Sequence, residues 1–224
     1  MTTTRWDPRG GHGAHEALGS EEPGQLWTMD DGDPRSWMRR KLFDLRIVLL
    51  SGPVDDEVGH GVGVELMTLD AIGDGPVHLQ IDSAGGTLTA ALALMDIIDV
   101  LGVPVRASCV GQAVGPSVGV LAVCSHRQMS AHARLRLLEP SVEVQGNARQ
   151  LEQLASAHAE QWTAFCARLS EVTGQPLEQL LDDADRGRFF SAEEAIDYGL
   201  VDEVAAADAR MYRLPGRPIG FGSV

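Results

Sequence analysis

The chain has 224 residues, 32 of them acidic and 18 basic, for a formal net charge of −14. That length can bury about two thirds of the unfolded surface in one large domain, and the acidity excludes nucleic acid or an anionic membrane as the main partner, since both attract basic surfaces. Three cysteines, Cys109, Cys124 and Cys166, fall inside apolar segments; an odd, widely spaced set makes neither a disulfide framework nor a zinc site, and it predicts core thiols in a reducing compartment.

In chain order, residues 1–40 come first as an expected flexible arm. The run from Pro8 to Pro34 is rich in Gly, Pro, Asp and Glu without sustained periodicity, which predicts disorder in isolation. Trp6, Trp27 and Trp37 offer docking groups, and Arg35, Arg39, Arg40 and Lys41 form a basic cluster that fits a solvated helix start or a contact with an acidic partner. The N-terminus lacks the apolar centre of a signal peptide. The longest apolar run, around Ala113 to Cys124, falls short of the roughly 20 residues of a membrane span. The expected location is the cytoplasm, with no metal and no cofactor.

From Lys41 onward the pattern is α/β. Arg46–Leu50 and Val77–Ile81 read as buried strands. After the second come Asp82-Ser83-Ala84-Gly85-Gly86 and then Leu88, Ala91, Leu92, Met95 and Ile98 at helical spacing, so strand, glycine turn and helix follow one another. Pro104–Val110 gives another strand, Ser117–Val123 a small-residue apolar segment, and Arg134-Leu135-Arg136-Leu137-Leu138 alternates as a half-buried strand would. Leu151, Leu154, Ala155, His158, Trp162, Phe165, Cys166 and Leu169 mark one face of a long helix ended by Gly174. Such a face suits packing on its own sheet or against another subunit. The tail after Ala205, closing with Ile219-Gly220-Phe221-Gly222-Ser223-Val224, is expected to fray or to dock through its apolar residues.

Several blocks together resemble ClpP, the proteolytic subunit of the Clp protease. They are Gly52-Pro53-Val54-Asp55-Asp56-Glu57-Val58, Ile81-Asp82-Ser83-Ala84-Gly85-Gly86, Cys109-Val110-Gly111-Gln112-Ala113, Thr173-Gly174-Gln175-Pro176-Leu177, and Arg188-Phe189-Phe190-Ser191-Ala192-Glu193-Glu194-Ala195, followed by Tyr198-Gly199-Leu200-Val201-Asp202. The resemblance covers residues 41–204. It implies an α/β fold of the ClpP/crotonase type, a spiral of ββα units with a protruding handle helix from Asn147 to Thr173. It also implies a homo- or hetero-oligomeric ring, of heptameric type, served by an AAA+ unfoldase.

Carried over residue by residue, the same resemblance puts the chemistry in doubt. One of the two glycines, Gly86, stands where a backbone N–H helps to hold an oxyanion, although Ala84 replaces the family's proline. Read without a gap, the catalytic serine falls on Gly115, followed by Pro116, which has no N–H to give. With two inserted residues, Ser117-Val118-Gly119 aligns instead, leaving Ser117 as a candidate nucleophile and Val118 as a donor. Gly115-Pro116-Ser117-Val118-Gly119 also matches the G-x-S-x-G elbow of α/β-hydrolases, but that elbow needs a later acid and histidine in turn, and the last histidine is His158.

The triad histidine falls on Leu138 and the triad acid on Gly187. Serine is a poor nucleophile without an adjacent base. His132 lies roughly 20 Å before Leu138 at about 3.3 Å per strand residue, and His126 is expected in a solvated turn. Asp185 could orient a base only if there were one. The expectation is a non-catalytic ClpP-like subunit. Two alternatives remain open: an active ATP-dependent serine endopeptidase using Ser117, and a binder of acyl thioesters or peptides on a crotonase-like scaffold.

Overall fold

The computed structural model describes residues 34–143 and 145–205. Most of the expected arm and the tail beyond Ala205 therefore lie outside the described residues, as do Trp6 and Trp27. Within them, seven strands form one mixed sheet whose main path runs β1-β2-β3-β4-β7.

Helix α1 (Pro34–Asp44) carries the basic cluster and places Arg39 Nε 2.6 Å from Glu65 of α2. It leads to β1 (Ile47–Ser51) through Arg46, whose φ of 59° is unusual for a residue with a side chain. The guanidinium of Arg46 donates to the carbonyls of Leu69 (2.9 Å), Gly73 (3.1 Å) and Gly75 (2.6 Å). A cation thus closes the C-terminal end of α2 (Asp56–Ile72), where unpaired carbonyls favour positive charge.

Strand β2 (Val77–Ser83) lies parallel between β1 and β3 (Val105–Val114), and α2 and α3 (Leu88–Val100) make the crossovers. Asp55 and Thr87 cap these helices by accepting from the amides of Val58 and Ala90. Strand β3 is long enough to serve two partners. Its first half pairs with β4 (His126–Ser130) and its last residues with β5 (Arg134–Arg136), both parallel. Strand β6 (Phe189–Phe190) runs antiparallel to β5, and β7 (Glu203–Ala205) pairs with β4.

The apolar segment after β3 forms α4 (Pro116–Ala122), buried along its whole length. A side chain at Gly119 would run into the Phe165 ring, so the glycine lets α4 lie directly on α5 (Ala148–Thr173). Helix α5 opens with a capping box between Asn147 and Gln150 and ends at Gly174 in the left-handed conformation, φ 73°. Only its second half is packed: Trp162, Phe165, Cys166 and Leu169 are buried, with the Trp162 and Phe165 rings stacked at 5.3 Å. Upstream, Leu154 is 45% exposed. Helices α6 (Leu177–Asp185) and α7 (Ala192–Asp197) complete the fold.

Candidate functional site

Strand β2 ends at Ser83, which is buried; its Oγ donates to Gly85 O at 2.9 Å and accepts from Gly85 N at 3.3 Å. Val54 then brackets the next glycine. Its N–H donates to Gly85 O, and its carbonyl accepts from Thr87 N, both at 2.8 Å. Gly85 and Gly86 have φ of 133° and 145°, a region L side chains avoid, and a Cβ on Gly86 would collide with the Val54 backbone. The double-glycine turn is therefore dictated by backbone meeting backbone.

On the neighbouring strand, β3 breaks into α4 at Gly115, with φ 54° and ψ −121°. Gly115 N donates to Arg136 O at 2.8 Å, and a Cβ there would lie 2.9 Å from Leu138 O. Residues 115 and 138 are thus neighbours at one corner.

Ser117 points elsewhere. It is fully buried, its Oγ donating to Val114 O and accepting from Val114 N, each at 2.9 Å. Val118 N is engaged by Gly115 O at 3.0 Å. Both groups proposed for an inserted register close the strand-to-helix turn.

Pairing of β5 with β6 brings the third position to the same corner. Leu137 N donates to Arg188 O at 2.9 Å, and Arg136 stands opposite Phe189. Gly187, with φ 62°, is buried, and Arg136 occupies the space beside it: Nη2 lies 2.8 Å from where a Cβ would be, and Nε donates to Gly187 O at 3.2 Å. The guanidinium rests 4.6 Å over the exposed Phe189 ring. The strand pattern Arg134-Leu135-Arg136 puts the two arginines on one face of β5, which is all that the sequence signals of this arginine.

The carboxylate below this corner is Asp183, not Asp185, which is exposed at the end of α6. Asp183 is buried and accepts from Tyr198 Oη at 2.7 Å and Arg188 Nη1 at 3.0 Å. Burial, and then the hydrogen bond to Asp183, push the Tyr198 phenol well above its usual range. Arg188 in turn lies over the Phe190 and Tyr198 rings. The cluster locks α6, β6 and α7 together.

No described histidine hydrogen-bonds to Ser117. His126 opens strand β4 instead of lying in a turn, with Nε2 3.0 Å from Glu203 Oε1. His132 is exposed between β4 and β5. His158 is half-buried on α5, 3.4 Å from Glu139. No cluster that could hold a metal ion occurs among the described residues. Burial is the first cause raising the thiols of Cys109, Cys124 and Cys166 to about 12, which leaves them unreactive near neutral pH.

A mixed, mainly parallel α/β sheet with a double-glycine turn facing a strand-to-helix corner, flanked by a long half-packed helix, is the architecture of Clp-type proteolytic subunits. A model of the Clp protease family matches residues 32–208. The chain is 38% identical over 170 residues to ATP-dependent Clp protease proteolytic subunit 4 of Rhodococcus jostii (strain RHA1), covering 75% of this chain and 88% of that protein. It is 36% identical over 170 residues to ATP-dependent Clp protease proteolytic subunit 2 of Thermobifida fusca (strain YX), covering 74% and 83%. The chain belongs to the Clp protease family.

Proposed function

We propose that this chain is a Clp protease proteolytic-type subunit without peptidase chemistry of its own, which builds a ring with copies of itself or with an active paralogue and serves an AAA+ unfoldase in the cytoplasm. The observation that carries the reading is the meeting of Gly115, Leu138 and Gly187 at one corner, three residues whose own side chains offer no nucleophile, no base and no acid. Losing triad members costs roughly 10⁴ to 10⁶ in turnover, and they fail as a unit. Ser117 offers no substitute, because its hydroxyl is spent inside its own turn.

Assembly is supported by α5. Its first half presents the exposed Leu154 and the half-buried Leu151 and His158 beyond the packed core, a face that suits another subunit. No helix among the described residues is long and apolar enough to cross a membrane.

The test is cleavage of a short fluorogenic peptide by the purified protein, alone and with an active Clp peptidase subunit from the same cell, alongside mass by light scattering. Silence alone, with a mixed assembly or altered activity on adding the partner, is the expected result. Cleavage by the protein alone that disappears in Ser117→Ala overturns the reading.

A further inference from the structure

In a chain of net charge −14, carboxylate partners for arginine are plentiful. Arg39, Arg127, Arg168, Arg186 and Arg188 each pair with an acidic side chain. Arg136 does not, and neither do Arg46, Arg106 and Arg149; what distinguishes Arg136 is its place beside the corner, where its hydrogen bond runs to the Gly187 carbonyl and no described carboxylate pairs with it. Arg134, on the same face of β5, bonds only to the adjacent Ala133 carbonyl. The nearby carboxylate of Glu194 feels Arg134 and Arg188 but is held by the Ser191 N–H at 2.8 Å.

The setting is preorganised. Arg136 is half-buried, lies over Phe189 and is anchored through Nε, so its guanidinium is held in a fixed orientation while its Nη atoms have no hydrogen-bond partner among the described residues. A planar guanidinium held this way matches a carboxylate in a two-pronged contact. Phe189, 59% exposed, adds an apolar surface beside it.

We propose that the corner vacated by the triad is a binding site for the α-carboxylate of a peptide, taken by Arg136 with help from Arg134, while the last side chain of the peptide lies against Phe189. The incoming carboxylate supplies from outside the negative charge that position 187 lacks. Hydrolysis of a peptide bond creates one new α-carboxylate per cut, so the ligands are the products of an active neighbour. In that last respect the inference rests on the non-catalytic reading above.

The test uses the full chain and a short fluorescein-labelled peptide ending in leucine, as the free acid, as the C-terminal amide, and as an amide carrying an internal glutamate. Binding is read by anisotropy at low salt, and the peptide is weighed afterwards by mass spectrometry. The free acid is expected to bind about tenfold or more tightly than either amide, a difference of roughly 1.4 kcal/mol or more. Arg136→Met, which keeps an unbranched chain over Phe189, is expected to abolish the preference while keeping a cooperative thermal transition. Equal affinity of acid and amide, binding of the internal glutamate peptide as tight as the acid, or a preference that survives Arg136→Met would each overturn the site. The acid-against-amide comparison needs no variant, so it stands even if the substitution impairs folding. Cleaved peptide in the mass spectrum would instead refute the non-catalytic reading.

Discussion

The double-glycine turn and the corner at Gly115, Leu138 and Gly187 lie side by side, yet they obey different constraints. At Gly86 the backbone of Val54 fills the space of a side chain, so the residue type is set by the fold itself. At the corner, Leu138 is a half-buried residue just past the end of β5, and Gly187 leaves room that Arg136 has taken. A family's glycines therefore testify to its architecture, whereas its chemistry resides in side chains that the architecture does not require.

That contrast can be broken by substitution. Gly86→Ala combines a positive φ with a backbone collision, and it is expected to cost upwards of about 3 kcal/mol in denaturant unfolding; a loss near zero would mean the turn is not fixed by close approach. Asp183→Ala leaves the Tyr198 hydroxyl without its partner, while the partly exposed Arg188 is screened by water, and is expected to cost about 2–3 kcal/mol, again read from the unfolding midpoint. Ser117→Ala removes a hydroxyl bonded to both the N–H and the carbonyl of Val114. It should cost about 1–3 kcal/mol while leaving peptide hydrolysis at the blank.

At the corner the effects shrink. Leu138→His is expected to change stability by less than about 1 kcal/mol and to produce no peptidase activity, because no nucleophile adjoins it.

The smallest effect is electrostatic. Hydrogen bonds from Arg127 hold the Asp202 carboxyl below its usual range. A depressed folded value means that its contribution is present above the unfolded value, about pH 4, and is lost as pH falls through the folded one. Asp202→Asn should therefore flatten the acid limb of the stability profile, and an unchanged limb would remove Asp202 as its cause.

Where burial imposes a period, the fold was legible. The apolar runs of β1, β2 and β3 predicted buried strands because parallel strands are covered on both faces, with ends off by a few residues; β3 continues to Val114, where it gains a second partner. Strand β4 was missed since His126-Arg127-Gln128-Met129-Ser130 has no apolar alternation. It is held instead by ladder bonds and by polar contacts to Asp202 and Glu203, far away in sequence. The half-packed state of α5 was also hidden, because Leu151 and Leu154 continue the stripe of Trp162 and Phe165. The positions of the corner could be named from the resemblance, but Arg136 filling the space beside Gly187 could not, since it depends on the β5–β6 register.

The most direct measurement is reaction of the purified chain with a fluorophosphonate, which is attacked only by an activated serine, read as intact mass. The account predicts an unmodified protein at reagent concentrations that fully label an active Clp peptidase subunit. A stoichiometric adduct mapped to Ser117 would show that its hydroxyl leaves the Val114 turn and finds a base, and would contradict the claim that this corner carries no peptidase chemistry.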